Sequence, residues 1–297
     1  MARTAVKDTT GDRIFMAAIY VLLVICLVVV LYPLVYIVSA SFSSAQAVNS
    51  GQVWLYPVHF TLDGYRVALS NIQIVVGFLN SLFYAFFGTL VGVSLTILMA
   101  FPLSRKTFVG RNILTSMLLF TMIFSGGLIP TYLIVKGVGL LDTRWAMVFP
   151  AAMNVFLIIV ARSFFQSTIP DELAEAAEMD GCSDFGFLLR VVLPLSKPII
   201  AVLVLIFAVG QWNSYFNALI YLSSDNLFPL QLVLRNILIL NTQSSGMENV
   251  EEMLKRQNLA DLMKYSLMVI GSIPVLAMYP FIQKHFVKGM FIGSVKG

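Results

Sequence analysis

Residues 168–198 read TIPDELAEAAEMDGCSDFGFLLRVVLPLSKP, a polar segment between two strongly apolar stretches. Pro170 suits the first position of a helix, and the acidic residues after it favour the positive end of the helix dipole. Gly181 can adopt the left-handed turn that ends a helix, and the serine two residues later can cap a second, shorter one. Pro194 and Pro198 are expected to end that second helix. The segment is predicted to be a helix–turn–helix with one small apolar face and one acidic face.

The composition places this segment in a membrane protein. Of the 297 residues, 59% are hydrophobic and 11% are charged, whereas soluble chains carry roughly 25% charged residues. So few polar side chains could not cover the surface of a soluble domain of this size. The net charge of +4 comes without a basic patch interleaved with aromatic residues, so nucleic-acid binding is not indicated. The composition predicts an all-α membrane protein.

Six apolar stretches approach the roughly 20 residues that a helix needs to cross the hydrocarbon core. The predicted spans are 14–38, 76–101, 113–135, 145–161, 198–222 and 265–282. Several contain Pro or Gly, which a span tolerates where neighbouring helices satisfy the freed backbone groups. The spans are therefore expected to pack as a bundle.

Lys and Arg concentrate on one side of the membrane when both termini are placed in the cytoplasm. In this orientation residues 162–197 form a long cytoplasmic loop, and residues 223–264 form a long external loop. The whole chain, 1–297, is then a single integral-membrane subunit with six transmembrane helices.

The predicted membrane interior lacks ionisable groups. None of the six spans contains Asp, Glu, Lys, Arg or His, although proton relays and most ion-coupled sites need such residues. The same lack disfavours an enzyme with an intramembrane catalytic site. The sequence contains neither a G-x-x-x-x-G-K-[ST] phosphate loop nor a metal-binding His or Cys spacing. A bundle of this kind that moves a solute uphill must receive energy from another protein.

Uncharged polar and aromatic residues gather in the fifth span at Gln211, Trp212, Asn213, Tyr215 and Asn217. Amides can hydrogen-bond sugar hydroxyls, and aromatic faces can stack on sugar rings, so one interpretation is a substrate pathway. The other is helix–helix packing with an aromatic belt at the outer interface. Both interpretations stay open from the sequence.

The cytoplasmic loop also carries a recognisable pattern. E-A-A at 175–177, Gly181 and V-V-L-P at 191–194 resemble the EAA loop of permease subunits of ATP-binding-cassette importers. The family pattern E-A-A-x-x-x-G-x₉-I-x-L-P is matched except for Val191 in place of Ile. W-N-S-Y at 212–215 and the tail 286–297 resemble the maltose- and polysaccharide-type branch. The resemblance implies the type I permease fold of these importers, with a transport core over 75–286.

By this resemblance, one set of residues would couple the permease to its ATPase: Glu175, Ala176, Ala177, Asp180, Gly181, Leu193 and Pro194. The implied partners are a second homologous permease subunit, giving a heterodimer, two cytoplasmic ATPase subunits and an external solute-binding protein. The chain would bind no cofactor and no metal itself, since ATP and Mg²⁺ would be held by the ATPases. The implied substrate is a sugar or oligosaccharide, and the location is the bacterial cytoplasmic membrane.

Two alternatives remain beside this interpretation. The same fold could carry a non-sugar solute such as an amino acid or phosphate. The chain could also be a receptor or scaffold that recruits ATPases without transporting. ATPase activity stimulated by the solute-binding protein with sugar, but not with an amino acid, separates the first alternative. Uptake of labelled oligosaccharide into vesicles separates the second.

Overall fold

A computed structural model describes residues 9–237, 261 and 263–280. These residues form two compact units, one from 9–70 with 261 and 263–270, the other from 71–237 with 271–280. Every regular element in the described ranges is a helix. The all-α class predicted from the composition is confirmed for this part of the chain.

The first unit contains three helices near its start: α1 (Thr10–Ser41), α2 (Ala45–Asn49) and α3 (Asp63–Ser70). A capping box between Thr9 and Asp12 fixes the first turn of α1. The helix is exposed along most of its length and becomes buried only at its last three residues. The small core of the unit lies at this end of α1, and the ring centres of Tyr36 and Tyr265 are 5.8 Å apart.

The second unit is built around one long helix, α4. Its elements are α4 (Ile72–Ser104), α5 (Arg111–Ile123), α6 (Leu128–Gly137), α7 (Trp145–Val148), α8 (Val155–Thr168), α9 (Asp171–Met179), α10 (Asp184–Leu195), α11 (Lys197–Trp212), α12 (Phe216–Tyr221) and α13 (Leu230–Arg235). A further helix, α14, runs over 263–280, and residues 271–280 of it belong to this unit.

Two glycines one turn apart let α4 approach α11 closely. A Cβ atom at Gly88 would lie 2.6 Å from the Gln211 side chain, and one at Gly92 would lie 2.5 Å from the Phe207 ring. Small residues at this spacing permit close contact between membrane helices, where association depends on packing rather than on the hydrophobic effect. The helix pair α4–α11 is therefore the packed centre of the unit.

The helices differ in their ability to cross a membrane. Among the described residues, α1 and α4 are each long and apolar enough to do so unaided. The pairs α5–α6 and α10–α11 pass the same test only together, and they are bent by 113° and 85°. Predicted spans 14–38 and 76–101 thus lie within single helices.

The predicted span 113–135 is not a single helix, because the chain turns sharply between α5 and α6. Gly127 has φ 84° and ψ −178°, a combination essentially confined to glycine. Pro130 then falls in the first turn of α6, where its missing N–H costs no helical hydrogen bond.

The fourth and fifth predicted spans are also interrupted. Within 145–161, α7 is a separate turn, and α8 begins after Asn154, whose side chain accepts a hydrogen bond from the N–H of Leu157 at 3.2 Å. Within 198–222, α11 ends at Trp212 and α12 begins at Phe216. The sixth span is helical over 265–280. Its last two residues, the tail 286–297, and residues 238–260 and 262 of the loop predicted to be external lie outside the described ranges.

Candidate functional site

Residues 162–197, predicted to be cytoplasmic and called the coupling loop below, contain α9 as their first complete helix. Pro170 is the N-cap with ψ 151°, one position earlier than predicted. Asp171 and Glu172 occupy the first turn, as the sequence indicated. Their charges lie near the free N–H groups of the helix start and stabilise it.

The turn that ends α9 is defined by Gly181, which has φ +72°. The N–H of Cys182 donates to the carbonyl of Ala177 at 2.9 Å, and the N–H of Gly181 donates to that of Glu178 at 2.9 Å. This pair of bonds is the Schellman arrangement, which satisfies the last carbonyls of a helix. The left-handed turn predicted from the sequence is confirmed.

The two faces of α9 have different environments. Ala174 and Ala177 pack on the core formed by α4, α8, α10 and α11. Glu175, Ala176 and Met179 point outward, and Met179 is 89% exposed. Of the residues predicted to couple, those exposed are Glu175, Ala176, Asp180, Gly181 and Pro194, and those half-buried are Ala177 and Leu193.

The second helix of the loop, α10, begins as predicted at the cap residue Ser183. Its hydroxyl accepts a hydrogen bond from the N–H of Gly186 at 3.2 Å. Phe187 and Val192 are buried in the same core as the inner face of α9. The loop is therefore attached to the transmembrane helices by apolar contacts from both of its helices.

Pro194 does not end α10, contrary to the prediction. The helix widens into a π turn over Leu188–Val192 and continues to Leu195. A wider turn just before a proline relieves the clash between its ring and the carbonyl one turn earlier. The bend into α11 comes at Ser196 instead.

An ionic cluster joins the start of α9 to the loop after α4. The Asp171 carboxylate lies 2.8 Å from Nζ of Lys106 and 3.8 Å from the guanidinium of Arg105. The hydrogen bond from Lys106 holds the pKa of Asp171 below its ordinary value, and the same bond raises the pKa of Lys106. The Arg105 guanidinium also sits 5.7 Å from the centre of the Phe187 ring. The sequence analysis did not predict this cluster. The signal for it was that Asp171 and the basic residues Arg105 and Lys106 are predicted to lie on the same side of the membrane.

The C-terminal end of α4 is held by side chains of α8. Nε of Arg162 donates to the carbonyl of Leu103 at 2.9 Å, and the Gln166 amide donates to that of Ser104 at 3.4 Å. Helix ends leave carbonyls without intrahelical partners, so these bonds satisfy groups that would otherwise be free. The coupling loop is thus bound to the C-terminal end of α4 by hydrogen bonds and to the residues that follow α4 by ion pairs.

The polar cluster of the fifth span divides into a buried and an accessible part. Gln211 and Trp212 are buried, and the Trp212 indole N–H donates to the carbonyl of Gly271 at 2.9 Å. Trp212 is 1% exposed and has no free ring face in this conformation. Asn213 and Tyr215 are exposed, and Asn217 is half-buried. The helix break between α11 and α12 lies among these residues.

The N-terminal half of α4 holds the segment that follows α12. The Asn80 amide donates to the carbonyls of Asn226 at 2.8 Å and Phe228 at 3.1 Å. The Tyr84 hydroxyl donates to the carbonyl of Leu227 at 2.7 Å. These contacts fix the position of the chain just beyond the broken fifth span.

Asp142 makes a second connection to the same region. Its carboxylate accepts hydrogen bonds from the N–H groups of Ser223 and Ser224, each at 2.8 Å, and from the Ser224 hydroxyl at 2.5 Å. These bonds, led by that of the hydroxyl, lower the pKa of Asp142. They also hold the residue at φ +55°, a conformation that Asp tolerates better than most residues.

Within the described ranges, no three His, Cys, Asp or Glu residues are placed to hold a metal ion. The arrangement connects the coupling loop mechanically to the fifth span. An exposed short helix is fixed to a long central helix, which contacts a broken helix bearing accessible polar groups.

Comparisons with known proteins agree with this architecture. The family model described as "Binding-protein-dependent transport system inner membrane component" matches residues 92–292. The chain is 43% identical over 271 residues to "Protein LplC" of Bacillus subtilis, covering 91% of this chain and 90% of that one. It is also 43% identical over 288 residues to the "Polygalacturonan/rhamnogalacturonan transport system permease protein YtcP" of Bacillus subtilis, covering 96% and 99%.

A solved structure is similar over nearly the whole length. It is titled "Crystal structure of a bacterial ABC transporter involved in the import of the acidic polysaccharide alginate". The match has a TM-score of 0.86 and 34% sequence identity, and it covers 95% of this chain and 100% of that one.

Proposed function

Because this chain belongs to the family of binding-protein-dependent transport system inner membrane components, we propose that it forms half of the translocation pathway of an ATP-driven oligosaccharide importer. The family predicted from the EAA-like motif is confirmed, and so is the type I permease fold. The chain is a permease subunit and not an enzyme. The other half of the pathway is a second homologous permease, and ATP is hydrolysed by separate subunits.

Oligosaccharides from acidic polysaccharides are the proposed substrate. The named substrates of YtcP and of the structural relative, polygalacturonan, rhamnogalacturonan and alginate, are all polysaccharides that contain uronic acids. No charged side chain lies in the six predicted spans of this chain. Hydrogen bonding from Asn213 and Asn217 and stacking on Tyr215 are then the contacts that this subunit supplies. Recognition of the carboxylates falls to the other subunits.

The observation that carries the proposal is the attachment of α9. Its inner face packs on the core through Ala174 and Ala177, and Asp171 pairs with Lys106 after α4. Its outer face, with Glu175 and Ala176, is free to enter a groove on an ATPase. A push on this face is therefore transmitted to the transmembrane helices rather than absorbed by a flexible loop.

Transport follows as alternating access between two states, each stabilised by a different ligand. ATP closes the ATPase pair and brings the two coupling loops together, which opens the pathway to the outside. An external solute-binding protein delivers the sugar, and hydrolysis returns the pathway to the inward-facing state. This scheme places both termini and the coupling loop in the cytoplasm of a bacterium, with six spans in its inner membrane.

Reconstitution of the chain with its partner permease, ATPases and solute-binding protein tests the proposal. We expect ATP-driven uptake of oligogalacturonides, with little uptake of amino acids or phosphate. Ala176→Arg should abolish uptake, whereas Val109→Arg, a matched change at a residue 92% exposed before α5, should not. Uptake of a non-sugar solute, or ATPase activity without uptake, would contradict the proposal.

A further inference from the structure

The loop of residues 51–61, called the aromatic loop below, carries an unusual set of exposed side chains. Trp54 is 69% exposed, Tyr56 is 79% exposed and Phe60 is 68% exposed. Apolar rings of this size seldom cluster on a surface that faces only water, so the set marks a contact surface.

The aromatic loop is fixed rather than free. The Ser39 hydroxyl donates to the carbonyl of Leu55 at 2.6 Å, and the N–H of Val58 donates to the Ser43 hydroxyl at 3.0 Å. Val53 is buried in the small core at the end of α1. The backbone therefore holds the rings in a defined position against α1.

That position lies alongside α1 and not beyond its end. The Trp54 ring centre is 6.3 Å from that of Tyr32 in an edge-on contact. Tyr32 precedes the end of α1 at Ser41 by about 13 Å along the helix axis. Since the apolar part of α1 continues past Tyr32, the loop folds back beside a segment that is itself within the membrane.

The charge pattern of this region fits the same location. No Asp, Glu, Lys or Arg occurs between Arg13 and Asp63, although α1 needs only about 20 apolar residues to cross the hydrocarbon core. The uncharged stretch thus continues through the aromatic loop and ends at α3. The rim of an interface with a soluble protein is polar, whereas most residues from 53 to 60 are apolar.

We propose that the aromatic loop is inserted into the lipid headgroup region beside the C-terminal end of α1 and anchors that helix. Trp and Tyr prefer this region because their rings are apolar and their polar tips remain hydrated. The proposal rests on the insertion of α1 in the membrane, as the proposed function requires, and not on which solute is carried.

Spin labels measure the depth directly. The experiment uses the reconstituted complex with Cys26 and Cys182 replaced by Ser, and one label at position 54 or 56. We expect these labels to collide more with oxygen than with a water-soluble nickel complex. A label at Arg66 on α3, whose side chain is 78% exposed, should show the reverse.

Quenching by brominated phosphatidylcholine gives a second measurement without labels. In a chain that carries Trp145→Phe, since Trp145 is 41% exposed, quenching should fall clearly when Trp54→Phe is added, because the one remaining tryptophan of this chain, Trp212, is buried. Three outcomes would overturn the proposal: nickel accessibility at 56 equal to that at 66, equal quenching in both proteins, or protection of 56 only after the solute-binding protein is added. None of these outcomes depends on uptake, so a failed anchor and a failed transport proposal are distinguishable.

Discussion

Replacing Gly181 should uncouple transport from ATP hydrolysis, and the magnitude follows from its backbone. Its φ of +72° is unfavourable for residues with a side chain, by roughly 1–2 kcal/mol. A Cβ atom there would meet no atom within 4 Å, so the cost comes from conformation and not from a clash. One or two kcal/mol changes a two-state ratio by a factor of about 5–30. We expect Gly181→Ala to lower, by that factor, the ratio of protein in which α9 keeps its turn and packs on the core to protein in which it does not.

A graded series makes this prediction sharp. Asn tolerates left-handed backbone better than Ala, and a β-branched residue tolerates it least. Uptake should therefore fall in the order Gly, Asn, Ala, Val, while the amount of protein inserted in the membrane stays constant. Gly210→Ala, where a Cβ also meets nothing within 4 Å and φ is helical, is the matched control. Full uptake with Val at 181, or equal losses for Asn and Val, would refute the role given to this turn.

Three further predictions test the other contacts. Gly92→Ala should lower stability by about 1–3 kcal/mol through overpacking, measured as a lower melting temperature in detergent, and an unchanged value would contradict the α4–α11 packing. Asp171→Lys should reduce uptake, and combining it with Lys106→Asp should restore part of that uptake. The lowered pKa of Asp171 and the raised pKa of Lys106 keep both side chains charged around neutrality. Added salt should therefore weaken this ion pair, whereas small changes in pH should not. Tyr215→Ala should raise the sugar concentration needed for half-maximal uptake with stability unchanged, whereas Trp212→Ala should lower stability and uptake together.

Local sequence signals predicted the coupling loop well. The left-handed turn at Gly181 and the cap at Ser183 depend on backbone and side-chain groups a few residues apart, so their chemistry is visible in one segment. The end of α10 was mispredicted because a proline rule assumes a regular α-helix. Within the π turn before Pro194, Leu188 and Val192 are buried in the core, a packing that the sequence does not display.

Long-range contacts were largely invisible in the sequence. The pairing of Asp171 with Lys106 and the bond from Arg162 to the carbonyl of Leu103 join segments far apart along the chain. Hydropathy likewise located apolar stretches without showing that the chain turns at Gly127 within one of them. For Trp212, burial and the bond from its N–H to the carbonyl of Gly271 fit the packing interpretation of the cluster.

Helix α4 links the coupling loop to the broken fifth span within the second unit. Its 33 residues span about 50 Å. Arg162 holds its C-terminal end beside the coupling loop, and Asn80 holds the segment beyond the broken fifth span. Between these ends, Gly88 packs against Gln211, two residues before the exposed part of the polar cluster. A displacement of α9 is therefore expected to move α4 and α11 together, with the helix breaks absorbing the change in angle. Double-mutant cycles between Arg162 and Asn80 should then show coupling in uptake, although these side chains are bonded to opposite ends of one helix, and strict additivity would mean that α4 does not transmit the motion.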